Sequence, residues 1–284
     1  MVHTMTYNPC GYLKNYIKFY AFREFDCLDA GLLKPMPATH EVHMMFTLNC
    51  KMQGFNNSIN NRKPFSIDGR TSADCVFAGL LSSMQGAILF KGRIRLLTIQ
   101  FKPTGFYRIF GMPPSIITNC LGHSAELLSK EIGLLHEQLE TLSTPTEMFI
   151  LVEKFISERL RMQKTRYEDL NMTKVTEFLI CQPGHYSIEK LASFANMSLK
   201  TFERKFVEQV GLSPKLFERI KRFNNAMDLK LYHPQLNWTQ VGNYTGYYDQ
   251  MHLIKDFTAF TNKSPSLFFK HTPPLLEIIQ QSNG

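Results

Sequence analysis

Lys200 and Arg204 stand four residues apart, so on a helix they share one face, with Thr201 and Glu203 flanking it. Their chemistry is recognition. Arg204 offers paired donors that fit guanine O6 and N7, Lys200 reaches guanine or phosphate, and Glu203 accepts from cytosine N4. About fifty residues on, a second set has the same kind of use: Gln250 suits adenine, Met251 and Ile254 suit thymine methyls, and Lys255 suits phosphate or guanine. Most charged helix faces are merely solvated. What separates these two from that majority is the repeat in which they sit.

Phe202, Phe206, Ser213, Pro214, Leu216 and Phe217 recur 51 positions later as Leu253, Phe257, Ser264, Pro265, Leu267 and Phe268. The paired aromatic and aliphatic residues four apart turn inward and leave the polar face outward. Each copy begins with a short apolar helix, carrying Leu191, Ala192, Phe194 and Ala195 in one and Val241 and Tyr244 in the other. A tight turn follows at Asn196-Met197 or Gly246-Tyr247, where positive φ suits Asn and Gly. Ser187, Ser198 and Asn237 are helix caps. A helix from Thr173 to Ile180 precedes the repeat and ends before Gln182-Pro183-Gly184. From Ser213-Pro214 to about Leu231 the spacing predicts one long helix joining the two copies, ended by His233-Pro234. Trp238 reads as core.

Helix, short turn and helix, written twice, is the layout of a tandem DNA-reading unit. The stretch from Ser187 to His271 resembles the DNA-binding domain of the AraC/XylS family of bacterial transcription regulators. The likeness is carried by Glu189-Lys190-Leu191-Ala192, Met197-Ser198, Gly211-Leu212-Ser213-Pro214, Gly246-Tyr247-Tyr248-Asp249-Gln250-Met251-His252 and Lys263-Ser264-Pro265. The chain departs from the family pattern at Asn196 and Asn262, where Gly is usual, and at Gly242, where Ala is usual. Asn tolerates the left-handed region, and Gly242 softens its helix by about 1 kcal/mol relative to Ala. The resemblance implies that both second helices enter successive major grooves about 34 Å apart. Ser198, Thr201 and His252 then join Lys200, Glu203, Arg204, Gln250, Met251, Ile254 and Lys255 in the DNA-facing set. It further implies double-stranded promoter or operator DNA, RNA polymerase, a homodimer and a small-molecule effector as partners.

The first half reads as short strands. Glu41 to Leu48 and Asp74 to Leu81 are apolar and β-prone, and Ala87 to Phe101 reads as two strands around a hairpin turn at Lys91-Gly92. Leu97, Ile99 and Phe101 alternate with Thr98 and Gln100, so one face is buried. The phrase from Gln100 to Gly111 is similar to the end of the cupin-like sensory domain found ahead of AraC-type modules. The expected fold class is α+β: a small β-barrel or cupin-like domain over 1–118, a helical dimerisation and linker segment over 119–169, and an all-α tandem helix-turn-helix domain over 170–275. Leu128, Ile132, Leu135, Leu139 and Leu142 form a narrow stripe on a helix from Ala125 to Leu142, which either pairs subunits or lies on its own barrel. In the first case Leu135→Asp with Leu139→Asp makes a monomer. Thr144-Pro145-Thr146-Glu147 is a capping box. Arg159 to Asp169, with Lys164, Arg166 and Tyr167, reads as the linker.

At 284 residues the chain holds two cored domains. Its net charge of +8 is shared evenly: 13 Lys and Arg against 9 Asp and Glu over 170–284, and 19 against 15 before that. A basic balance supports nucleic-acid binding only weakly. Six cysteines (Cys10, Cys27, Cys50, Cys75, Cys120 and Cys181) include no Cys-x-x-Cys pair, which argues against a zinc module or a disulfide scaffold. No signal-like start or run of about 18 apolar residues occurs, so the expected compartment is the cytoplasm, with no membrane partner. Two enzymatic alternatives compete. A cupin enzyme needs a metal triad, yet His40-Glu41-Val42-His43 sets its two His on opposite strand faces. A DNA-repair alkyl-transfer protein needs an activated thiol, and Pro9-Cys10-Gly11 lacks neighbouring cysteines. Neither a cofactor nor a catalytic set is expected.

Overall fold

Strand-forming alternation fills the first hundred residues, and a computed structural model of the protein turns it into an antiparallel sheet. Residues 2–48, 51–56, 64–68, 75–119, 123–124, 130–163, 170–181 and 186–270 are described. The strands are β1 (Val2–Tyr7), β2 (Ile17–Met36), β3 (Thr39–Thr47), β4 (Lys51–Asn56), β5 (Pro64–Asp68), β6 (Cys75–Leu81), β7 (Gly86–Phe101) and β8 (His123–Ser124). Their order is β1-β2-β7-β3-β6-β8, with the β4–β5 hairpin joined to β7. In β3, Val42, Met44 and Phe46 are buried while His43 and Met45 between them are less so. Every residue of β6 is buried, because the sheet is covered on both faces: Cys75, Phe77 and Leu80 join the main core, and Val76 joins a second cluster with Phe25, Ile88, Phe90, Ile94 and Leu96.

The hairpin expected at Lys91-Gly92 does not form. β7 runs unbroken through that point, with Gly92 at φ 67°. Gly92 pairs with Cys27, and the β2 register shifts between Cys27 and Leu32. The glycine allows β7 to bend there, so that Gly86–Lys91 pairs with β4 and Leu96–Phe101 pairs with β3. One strand thus serves two partners in succession, where sequence reading expected it to fold back on itself.

Helices α1 (Gly105–Phe110), α2 (Lys130–Thr141) and α3 (Pro145–Gln163) close this half. Thr144 and Glu147 cap α3 reciprocally, as their spacing predicts. On α2 the stripe residues Ile132, Leu135 and Leu139 lie in the protein's own core, at no more than 4% exposure, which corrects its reading as a subunit seam. The described part of the helix runs Lys130–Thr141, and Leu128 lies outside the described residues. Arg159 is not linker either: it is in α3 and bonds Glu131 on α2 at 3.0 Å. Lys164, Arg166 and Tyr167, like Gln182-Pro183-Gly184, Cys50 and Cys120, fall outside the described residues.

The second half is helical: α4 (Leu170–Cys181), α5 (Ile188–Phe194), α6 (Leu199–Val210), α7 (Pro214–Tyr232), α8 (Trp238–Thr245), α9 (Gln250–Thr261) and α10 (Pro265–Lys270). Asn196 at φ 55°, Asn262 at 58° and Gly246 at 79° make the left-handed turns, so the two departures from Gly are accommodated. Arg219 on α7 grips Asp256 on α9 at 2.6 Å, and the Arg222 guanidinium lies over the Tyr247 ring at 5.2 Å. α7 is therefore fastened to the second unit as well as to the first, where Phe217 meets Phe206.

Candidate nucleic-acid interface

The two helices expected to read DNA, α6 and α9, are set by their first turns. Ser198 caps α6, its Oγ accepting from the Thr201 N–H, and Asp249 caps α9, accepting from the His252 N–H at 2.8 Å. That bond and the imidazole of His252 at 3.0 Å hold the Asp249 carboxyl below the usual carboxylate range. Phe202 and Phe206 on α6, and Leu253 and Phe257 on α9, are at 1% exposure or less. The outward faces follow from that burial. Lys200, Glu203 and Arg204 are exposed on α6, and Gln250, Met251, His252 and Lys255 on α9.

Four residues depart from the expected surface. Ile254 is only half exposed and packs against the core, because one edge of α9 leans on its neighbours. Gln250 is exposed but its Oε1 accepts from Thr239 on α8 at 2.7 Å. Tyr244 and Phe194, assigned to apolar helix faces, are 69% and 55% exposed. Tyr248, which sequence reading left without a role, is the most exposed large apolar side chain described, and its ring meets His252 at 6.0 Å. Its position just before the α9 cap was the available signal. Trp238 is half-buried and packs against the core, its ring meeting Phe257 and Phe269.

A cavity of about 430 Å³ opens between the sheet and α7. Phe25, Ile88, Phe90 and Leu96 give it apolar walls, and Asn224, Met227 and Leu231 of α7 form the opposite side. Four cations (Lys18, Arg23, Lys34 and Lys221) and two carboxylates (Glu41 and Asp228) line it, with Arg23 and Lys34 beside the apolar wall. Burial pushes Arg23 down to about 10, and burial with the charge of Arg23 pushes Lys34 down to about 8. Gln100, 1% exposed, also lines it, and its Nε2 finds no hydrogen-bond partner among the described residues. Sequence reading missed this site, since Arg23, Lys34 and Gln100 are scattered over two strands and only the sheet brings them together.

His40 and His43 both line this cavity, contrary to the expectation of opposite faces, because β3 shifts register between Thr39 and Val42. His40 has a structural partner: its Nδ1 lies 2.8 Å from Asn224 Oδ1, and its ring packs edge-on to Phe217. His43 lies 3.5 Å from Glu41. Among the described residues no group of three or more His, Cys, Asp or Glu could hold a metal ion. At Cys10 the hydrogen bond to the Glu153 carboxylate raises the thiol, the opposite of what a nucleophile needs.

Residues 191–271 match a family model described as a helix-turn-helix domain. No curated protein matches the chain. Among solved structures, an apo ToxT variant from Vibrio cholerae aligns over 89% of this chain and 98% of its own at 12% identity, with a TM-score of 0.48. The DNA-binding domain of AdpA in complex with a target DNA covers 34% of this chain and 88% of its own at 23% identity and a TM-score of 0.33. A transcriptional regulator with an AraC-type DNA-binding domain from Chromobacterium violaceum covers 39% and 90% at 20% identity and a TM-score of 0.29. No helix described is long and apolar enough to cross a membrane.

Proposed function

We propose that the chain is a DNA-binding transcription regulator with an AraC-type helix-turn-helix domain at its C-terminal end, and that an amphipathic organic anion controls its grip on operator DNA. The cavity between the sheet and α7 carries this reading. An apolar body suits Phe25, Ile88, Phe90 and Leu96, and a carboxylate or similar head suits Arg23, Lys34 and the Gln100 amide nitrogen, which has no partner among the described residues. Bringing two cations together in a half-dry site is costly, and an anion between them offsets that cost. Because α7 forms one wall and also joins the two reading units, an occupant that favours one seating of α7 shifts the population that fits DNA.

In the proposed division, 1–118 senses, 119–169 connects and 170–275 reads. Base contacts come from Lys200, Glu203 and Arg204, with Gln250, Met251 and Lys255 adding a mostly neutral second surface, and Ser198, Thr201 and His252 at the helix starts. RNA polymerase is the further partner that the family resemblance implies, and the cytoplasm the compartment. A homodimer, if one forms, uses a surface other than the α2 stripe. The test is thermal unfolding of the purified protein with a panel of monocarboxylates of increasing apolar size, paired with operator binding. Saturable stabilisation lost in Lys34→Ala supports the reading. Equal stabilisation of wild type and Lys34→Ala overturns the assigned site.

A further inference from the structure

The base-reading face of α6 is not independent of the N-terminal half. Arg204 Nη1 donates to Glu208 Oε2 at 3.3 Å, one turn along the helix. The other oxygen of the same carboxylate, Oε1, accepts the hydroxyl of Tyr107 at 3.0 Å, and Tyr107 belongs to α1. Tyr107 is 7% exposed, so its ring is a fixed support. The C-terminal end of α6 is clamped on the same side: a Cβ on Gly211 would lie 3.0 Å from Pro114 and 2.5 Å from Leu80, and the Thr118 hydroxyl donates to Gly211 O at 3.4 Å. α6 thus has a seated end and a reading end, and the hydrogen-bonded chain Tyr107–Glu208–Arg204 runs from one to the other.

An exposed Arg–Glu pair four apart contributes little by itself, because two long side chains must be held in one geometry. Here the carboxylate is already held by Tyr107, so only the arginine has to be ordered. The pairing occupies Nη1, while Nε and Nη2 make no hydrogen bond among the described residues. Those two donors are what a bidentate contact to guanine requires. We propose that Tyr107 is a positioning residue for DNA specificity: acting through Glu208, it presets the guanidinium of Arg204 for base reading. This rests on the base-reading role given to Arg204 above.

The experiment uses the full-length protein, a duplex it selects from a random library, and the same duplex with its most discriminating G·C pair changed to A·T. Tyr107→Phe keeps the ring and removes the donor; Glu208→Gln keeps the shape and removes the charge. Each is expected to lower the affinity ratio between the two duplexes by up to about fivefold, the scale of an exposed networked pair. Each leaves affinity for scrambled DNA and its salt dependence unchanged, since phosphate contacts are untouched. In an Arg204→Ala background, Tyr107→Phe has no further effect on the ratio. A merely structural tyrosine would lower binding to all duplexes, with or without Arg204, and that result overturns the proposal. If Arg204→Ala lowers the ratio but neither Tyr107→Phe nor Glu208→Gln does, the relay falls and base reading by Arg204 stands. If Arg204→Ala leaves the ratio unchanged, the base-reading role falls and the relay with it.

Discussion

Arg204 and Lys255 are both exposed cations on reading helices, yet different effects follow from removing them. Arg204→Ala is expected to cost about 1 to 3 kcal/mol at one G·C pair and little elsewhere, as for loss of a bidentate base contact. Lys255→Ala should weaken all sequences alike and lower the salt slope by about one unit, as for loss of one phosphate contact. Binding of both variants to selected and scrambled duplexes at several salt concentrations separates the two. Lys34 makes a different prediction. Its folded-state value of about 8 lies below the unfolded value of about 10.4, so between these the unfolded chain holds more protons and stability rises with pH. Urea denaturation between pH 8 and 10 should show that rise, and Lys34→Met should lose it. An anionic effector needs the charged form, so its affinity falls as pH climbs through about 8. An affinity flat from pH 7 to 10 would remove Lys34 from the anion site.

Two elements give sharp tests of packing. Leu135 on α2 is 4% exposed within the core, so Leu135→Ala should cost about 2 to 5 kcal/mol in urea denaturation while the solution mass stays that of wild type. A change of mass without loss of stability would restore the subunit seam that the stripe first implied. Gly242 lies inside α8, and a Cβ there would sit 3.5 Å from Leu253 Cδ1, an ordinary contact. Gly242→Ala should therefore stabilise the protein by about 0.5 to 1 kcal/mol, the helix-interior difference between the two residues, visible as a raised Tm. At β7 the same residue type has the opposite role, since Gly92 at φ 67° makes the bend that lets one strand pair first with β4 and then with β3.

At the scale of the whole molecule, Asn224 ties α7 to the sheet. Its Oδ1 lies 2.8 Å from His40 Nδ1, and its Nδ2 donates to Ala38 O at 2.9 Å. Asn224→Ala strands these partners, at a cost of about 1 to 3 kcal/mol. It should also shrink the difference in operator affinity with and without the effector, measured by titration of the full-length protein. An unchanged effector response would mean that the coupling passes elsewhere, and the Tyr107–Glu208 contact is the next place to look.

The 51-residue repeat carried the helical half on its own, because helix caps, inward aromatic pairs and left-handed turns are local devices whose spacing survives in the chain. Ser198, Asn237, Asn196 and Gly246 all sit where that spacing puts them. The outward positions of Lys200, Glu203 and Arg204 follow from the burial of Phe202 and Phe206 for the same reason. Long-range pairing was not legible. Periodicity along Ala87–Phe101 is equally compatible with a hairpin and with a bent strand, since the choice depends on β2, β3 and β4 as partners. A leucine stripe specifies that a face must be covered but not by what, and in α2 the cover is the chain itself. Arg23, Lys34 and Gln100 meet only once the sheet has curved, and Tyr107 reaches Glu208 only once the two halves have packed. The candidate reading surface was therefore determined by local sequence, whereas the cavity and its link to that surface were decided by contacts between residues far apart in the chain.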